Sequence, residues 1–303
     1  MSGSAAAAEY VLVQSATPTA SLAPPAEKLA TLPLHGFTIV EDYGIYVLAS
    51  YDPPADLQGL GRLTGLTLIP AIGFNTLLVG GVEIDTTTSS LLTPSIPSTL
   101  RLADYPVGGP GLYLLHLIGP PKDGWLAGLK GAGFTLIQYV EHNGYIAKAK
   151  AGLAGLRAAL PRYVKFIAPL EPFGKMPADL RNRTSGDPLE VSVLVDTTEK
   201  VNDPISLLFA VDRNARVVAS RQGEAILSLN ASRAQYTSIA TNPGVLWIEP
   251  NQTGFPADER ADQITVGHYS GNGATQPGLY QSFLSTNCSY CFNDTNQSRY
   301  CLT

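Results

Sequence analysis

The chain of 303 residues is 45% hydrophobic and 15% charged, which supplies enough apolar material for real cores and argues against global disorder. Its net charge of −5, with 20 basic residues and no dense Lys/Arg block, leaves no electrostatic footprint for nucleic acid. No apolar run approaches the roughly 18 residues that a membrane-spanning helix needs.

In chain order, the first elements are a strand at Tyr10 to Gln14 and a helix within residues 23–36 that Pro33 cuts short. A strand at Gly36 to Asp42, its hairpin partner at Gly44 to Ser50, a helix over 54–63 and a strand ending at Pro70 follow. Next comes "NTLLVGGVEID", a hairpin turning at Gly80-Gly81, and then a Ser/Thr/Pro stretch.

The same order returns. "GLYLLHLIG" (Gly111 to Gly119) has the size of a strand, and "PKDGWLAGLKGAG" places Trp125, Leu126 and Leu129 at helical spacing before a Gly131/Gly133 stop. "FTLIQYV" and "YIAKAKA" form a hairpin for which Asn143-Gly144 is the expected tight turn. A short helix over 152–161 and the strand "YVKFIAP" close the unit. Gly-Phe-Thr at Gly36 matches Gly-Phe-Thr at Gly133.

After the polar, Pro-containing stretch "LEPFGKMPADLRNRTSGDP" the order returns a third time. "LEVSVLV" is a strand, and a helix follows with Asn202 or Asp203 as cap and Pro204 in its first turn. A hairpin turns near Gln222-Gly223, a helix is expected to be capped by Asn230, and "VLWIEP" ends at Pro250. The three closing strands, "GLTLIP", "YVKFIAP" and "GVLWIEP", are echoes of one another.

The expected fold class is therefore α+β, as three tandem ferredoxin-like (β-α-β-β-α-β) units, each an antiparallel sheet with two helices on one face. The expected boundaries are 9–72, 111–170 and 189–250 for the units, with a hairpin and linker over 73–110 and a linker over 171–188. From residue 251 to 303 the chain is rich in Gly, Asn and Thr with little periodicity.

No complete catalytic constellation is visible. His35, His116, His142 and His268 are scattered: His116 lies in a strand pattern, His142 in a turn, and His35 beside the Gly36 stop. His268 lies near Ser270 in "GHYSGNG", which is not the G-x-S-x-G elbow. Asp85 and Asp196 each end an apolar strand and are expected to cap turns. "GLGRLTG" and "GLKGAG" miss the G-x-G-x-x-G spacing, so no nucleotide or other cofactor is expected. Cys288-x-x-Cys291 with Cys301 makes three thiols and no nearby His, so no metal site is expected; a disulfide with one spare thiol or an incidental tail both fit. N-x-[S/T] sequons at Asn182, Asn251, Asn287 and Asn293 matter only where the source glycosylates.

A resemblance rests on the second unit. Gly119-Pro120, Asp123, Trp125, a hairpin carrying Tyr139, Asn143 and Tyr145, and Val164 to Pro169 resemble the N-terminal pro-region of large bacterial subtilisin-like serine peptidases. "GVLWIEP" resembles the end of the last propeptide-like unit, and Asp258 to Ser285 resembles the lead-in to the peptidase domain. The D-[ST]-G, H-G-T-H and G-T-S-M contexts of the peptidase triad are absent from the sequence.

The resemblance implies a secreted or extracytoplasmic pro-region, though "MSGSAAAAEY" has neither the basic start nor the apolar core of a signal peptide. It implies that this chain has no catalytic residues and that its parent is a serine endopeptidase. The partner is a subtilisin-like catalytic domain, in cis or in trans, which the pro-region helps to fold and inhibits. The sheet face of the third unit would lie against surface helices of that domain. The tail, with Glu249, Pro250, Asn251, Gln252 and Thr253, would occupy the substrate cleft. A stand-alone protease inhibitor or protein-binding module is the alternative.

Overall fold

Alternation of apolar and polar residues places the strands, and Gly or Pro ends them. The computed structural model describes residues 8–16, 22–53, 55–88, 90–91, 96–106, 109–198, 203–221, 223–251, 291–293 and 299–301. The fold is α+β, built from small antiparallel sheets with short helices.

The first segment runs β1 (Glu9–Ser15), α1 (Ala26–Leu29), β2 (Phe37–Asp42), β3 (Val47–Tyr51), α2 (Leu57–Thr64) and β4 (Leu66–Pro70), with strand order β2-β3-β1-β4. β5 (Thr76–Val79), β6 (Val82–Asp85) and β7 (Ser90–Leu91) form a three-stranded sheet whose first turn has left-handed Gly80 and Gly81. The second segment runs β8 (Gly111–Leu117), α3 (Asp123–Gly131), β9 (Thr135–Val140), β10 (Gly144–Ala149), α4 (Leu153–Ala158) and β11 (Val164–Pro169), in the order β11-β8-β10-β9. After α5 (Ala178–Asn182), the third runs β12 (Leu189–Asp196), α6 (Pro204–Val211), β13 (Arg216–Arg221), β14 (Glu224–Ala231), α7 (Arg233–Ala240) and β15 (Val245–Pro250), in the order β13-β14-β12-β15. The closing strands β4, β11 and β15 each lie at a sheet edge. There Pro70, Pro169 and Pro250 can lack an N–H donor without breaking a central ladder.

The three sheets agree down to their irregularities. The strand β2 has one extra residue opposite β3, at Val40. β9 has one at Ile137 and β13 one at Val218. Val40 and Ile137 each stand four residues after the glycine of a Gly-Phe-Thr triplet. Phe37 and Phe134 are buried, and Ala215 is the buried residue at the matching place before β13. Closing strands β11 and β15 also bulge, at Lys165 and Leu246, each four residues before the terminal proline.

Two local expectations are corrected. The β9–β10 turn is not centred on Asn143-Gly144: His142 (φ 65) and Asn143 (φ 67) are the left-handed residues, and Gly144 is already in β10. Gly144 is needed for close approach instead, since a Cβ there would stand 2.6 Å from Leu77 Cδ2. The cap of α7 is Ser232, not Asn230; Asn230 is still paired with Glu190 in the ladder, and Ser232 forms a capping box with Gln235. Asp203 caps α6, accepting from the Ile205 N–H at 3.0 Å, while Asn202 and Gln222 lie outside the described residues.

The core is divided unequally. The first sheet has its own cluster around Val11, Val13, Phe37, Val47 and Leu66. The β5–β6 hairpin and the second and third segments share one continuous cluster. Residues 171–188 join that cluster rather than lying in solvent: Phe173, Met176 and Leu180 are buried, and so are Lys175 and Arg181. The chain divides into two compact units after Asn251. In the second of these, β16 (Cys291–Asn293) pairs antiparallel with β17 (Arg299–Cys301).

Candidate functional site

What each sheet can offer a partner depends on which of its faces is already covered. All seven residues of β8 are buried. The β5–β6 hairpin lies over the face that carries Gly144 and His116, with Leu77 against Gly144 and Thr86 Oγ1 2.8 Å from His116 Nδ1. The third sheet differs. Val191, Val193 and Val195 are fully buried, whereas Glu190, Ser192 and Leu194 between them are partly exposed. α6 touches β12 and β14, α7 touches β14 and β15, and the two helices touch each other, so they share the valine face. The opposite face is only partly exposed: Ile226 is exposed, Leu194 and Trp247 are half-buried, and Ser228 is buried.

Register sorts that face into rows, because directly opposed residues of an antiparallel pair lie on the same side. Leu194 is opposite Ile226 on one side and Trp247 on the other. Ser192 is opposite Ser228 and Glu249, and Ser228 is opposite Arg216. An apolar row, Ile226–Leu194–Trp247, therefore runs beside a polar row, Arg216–Ser228–Ser192–Glu249. The Trp247 Nε1–H donates to Glu249 Oε2 at 3.1 Å, linking the rows at the edge strand.

The polar row ends in a network. Glu190 Oε1 accepts from the Ser228 hydroxyl at 2.6 Å and from Arg216 Nη2 at 3.0 Å. Hydrogen bonds from Ser228 first, then Asn251 and Arg216, hold the Glu190 carboxyl below its ordinary range. Asn251 is fixed at both ends: its N–H donates to Glu190 O at 2.9 Å and its Nδ2 to Ser228 Oγ at 3.4 Å. Of the five tail residues expected to enter a protease cleft, Glu249 and Pro250 are thus the end of edge strand β15, and Asn251 is tied to the central strand. Gln252 and Thr253 lie outside the described residues, as do His268, Cys288 and residues 258–285.

Among the described residues, the histidines and aspartates singled out in the sequence lie in turns and at strand ends. His35 closes a 3-10 turn before left-handed Gly36. His116 is fully buried; burial first and Lys165 second press its pKa down to about 3, so the ring is neutral. His142 packs on Gly73, where a Cβ would stand 2.5 Å from its ring. Among the described residues His116 Nε2, His142 Nδ1 and Asn143 Nδ2 have no hydrogen-bond partner. Asp85 Oδ1 accepts from the Thr87 N–H and hydroxyl, and Asp85 Oδ2 from the Thr88 hydroxyl.

Asp196 caps its turn through Thr198 and also does something the sequence did not signal: it takes a 2.5 Å ion pair from Lys148 of β10. Burial raises its pKa, but the Lys148 and Thr198 hydrogen bonds outweigh that and leave it lowered. Register puts Asp196 where the second sheet has His116, since Leu194 faces Ile226 as Leu114 faces Ile146. Each is a buried polar residue at the strand end bonded to a threonine, Thr198 or Thr86. Among the described residues no group of three or more His, Cys, Asp or Glu side chains is placed to hold a metal ion. Among the described residues no helix is long and apolar enough to cross a membrane.

A family profile described as a domain of unknown function (DUF8729) matches residues 79–171, just under a third of the chain. That stretch holds the second segment and the β6 strand that leads into it. No curated protein and no solved structure matches the chain.

Proposed function

We propose that the three β-α-β-β-α-β segments are tandem ferredoxin-like units, and that the chain is the pro-region of a secreted subtilisin-like serine endopeptidase. In this reading it helps the catalytic domain to fold and then inhibits it. The third unit is the docking unit, and the first two space and support it. The observation that carries the reading is the partly exposed face of the third sheet, with the Ile226–Leu194–Trp247 row beside a charged row. It adjoins the edge strand from which the chain runs on toward residue 252. The strand order β13-β14-β12-β15 and the two helices on the far face support the ferredoxin-like assignment.

Docking through this face would bury the apolar row against a helical surface, and Glu249 with Arg216 would set the register. A partner that binds only the native catalytic domain stabilises it by mass action, and one that also binds its folding transition state speeds folding. The cleft-filling segment then starts after Asn251, because Asn251 itself is pinned to Glu190.

The purified chain, added to a panel of bacterial subtilisins, is expected to inhibit at least one and to accelerate recovery of activity from denaturant. Trp247→Ala, which removes the aromatic anchor, is expected to weaken inhibition by about 30-fold. Neither inhibition nor refolding assistance across the panel ends the proposal. Inhibition without any effect on refolding favours the alternative, a stand-alone inhibitor using the same face. Reading the coding sequence past Thr303 separates the two further, since an in-frame downstream D-[ST]-G and G-T-S-M are expected only for a pro-region.

A further inference from the structure

The β5–β6 hairpin belongs to a sheet of its own, so side chains rather than a backbone ladder hold it to the second sheet. Its two ends are fastened differently. At the tip, the Arg181 guanidinium donates to the Gly80 carbonyl. At the open end a relay runs from the second sheet into the hairpin. The Thr86 hydroxyl has one hydrogen and gives it to Asn75 O at 2.9 Å. The ring Nδ1–H of His116 is therefore the donor in the 2.8 Å bond between His116 and Thr86. This leaves Nε2 bare, and among the described residues it has no partner.

The ring has no counter-charge to accept a second proton against. It is fully buried. The titratable groups that act on it are Lys165 of β11 and His142 of the β9–β10 turn, and neither brings a negative charge. On the hairpin, the Asp85 carboxylate is taken up by Thr87 and Thr88. A charged ring must reach water, and the cover that yields at least cost is the hairpin. β10 and β11 are joined to β8 by backbone ladders, and the hairpin is not.

We propose that His116 is an acid-operated latch: when its ring takes a second proton, the open end of the hairpin lifts from the second sheet while the tip stays tied to Arg181. Lifting takes Leu77 off Gly144 and uncovers the Leu114–Ile146 face. That face is the register equivalent of the Leu194–Ile226 face of the third sheet. Burial first and Lys165 second outweigh a smaller pull from the His142 backbone and lower the pKa from 6.5 to about 3. The latch is therefore at full strength above pH 6.5 and weakens as pH falls toward 3. The inference is independent of the protease reading, since it rests on the relay, the buried ring and the separate hairpin sheet.

Hydrogen exchange of the full chain, with protection factors corrected for the intrinsic rate at each pH, reads the latch. A detached two-stranded hairpin does not hold its own amides. Protection over Thr76–Asp85 is expected to fall about 25-fold between pH 7 and pH 5, with a much smaller change in β12–β15. His116→Asn keeps a donor for Thr86 and cannot titrate, so its hairpin protection should show no such fall. Ring-nitrogen NMR of the unsubstituted chain needs no variant: His116 should remain a neutral Nδ1–H ring at pH 5. A His116 ring that titrates near 6.5, hairpin protection that does not fall, a fall that persists in His116→Asn, or a fall of the same size in β12–β15 would each overturn the latch.

Discussion

The first sheet and the body formed by the second and third sheets share a strand order but are attached in opposite ways. The first meets the second through polar and aromatic contacts and through fully buried Leu48, which packs on Gly119. Tyr43 Oη donates to Pro120 O at 2.8 Å, and Lys122 Nζ reaches Glu41 Oε1 at 2.7 Å and Asp42 O at 2.6 Å. Lys122 also lies 4.7 Å from the centroid of the Tyr43 ring. Lys165 donates to Phe74 O and sits 4.4 Å over Tyr10. The second and third sheets instead share an apolar core, with Phe173, Met176 and Leu180 packed into it. Tyr236 Oη bonds Leu180 O at 3.0 Å, and Lys175 Nζ bonds Asn242 O at 2.8 Å, just past the end of α7. Copies of one pattern can therefore keep a core of their own or share one. What decides is the connector and a few substituted positions, not the repeat itself.

The largest test of that contrast is Phe173→Ala. Phe173 is 2% exposed in the shared core, so its truncation is expected to cost about 3–5 kcal/mol. Urea unfolding followed by hydrogen exchange should show β8–β11 and β12–β15 losing protection together, with β1–β4 unaffected. Protection lost from only one of the two sheets would break the fused-body description.

Next in size is the pH response of Lys175. It is fully buried, and burial depresses its pKa from 10.5 to about 7. Above that value the folded chain releases a proton that the unfolded chain keeps, so this residue makes stability rise with pH through that window. Between pH 7 and 9 the rise is at most about a hundredfold in the folding constant. Lys175→Met should flatten that slope and be more stable near neutrality, measured by urea midpoints across pH.

Gly144→Ala should cost roughly 1–3 kcal/mol by pressing on Leu77 and Val140. It should also raise exchange in β5 and β6, separating a close-packing role from a turn role. The smallest effect belongs to the junction of the first sheet with the second. Lys122→Ala removes a partly buried ion pair and a cation–aromatic contact, together about 1 kcal/mol or less. Its signature is selective: faster exchange or proteolysis in 9–70 with 111–250 unchanged.

Much of the secondary structure was legible because it is written locally. Gly36-Phe37-Thr38 and Gly133-Phe134-Thr135 announce the same strand start, and the structure shows both phenylalanines buried. The third copy hides this, because the position is held by Ala215. What could not be read has partners far along the chain. Arg181 looks like an ordinary connector residue, yet its guanidinium binds carbonyls of Gly80, Phe173 and Met176. Asp196 reads as a turn cap, and half of its role belongs to Lys148, 48 residues earlier. Asn143-Gly144 reads as a hairpin dipeptide, and Leu77 explains why the glycine serves elsewhere. "LEVSVLV" reads only as a strand, and the structure shows its valines buried on one face. That the opposite face of the second sheet is covered could not be read locally, because the cover comes from a separate hairpin.

The guanidinium of Arg181 also bears on synthesis. The Gly80 carbonyl, at the turn between β5 and β6, is made about a hundred residues before the donor that satisfies it. While the chain emerges from a ribosome, that carbonyl must wait with water for company, and the whole span from 79 to 181 must clear the exit before the knot can be tied. A fragment cut at residue 171, where the family match ends, stops short of it. An excised piece meant to fold by itself would have to reach at least Arg183, at the end of α5.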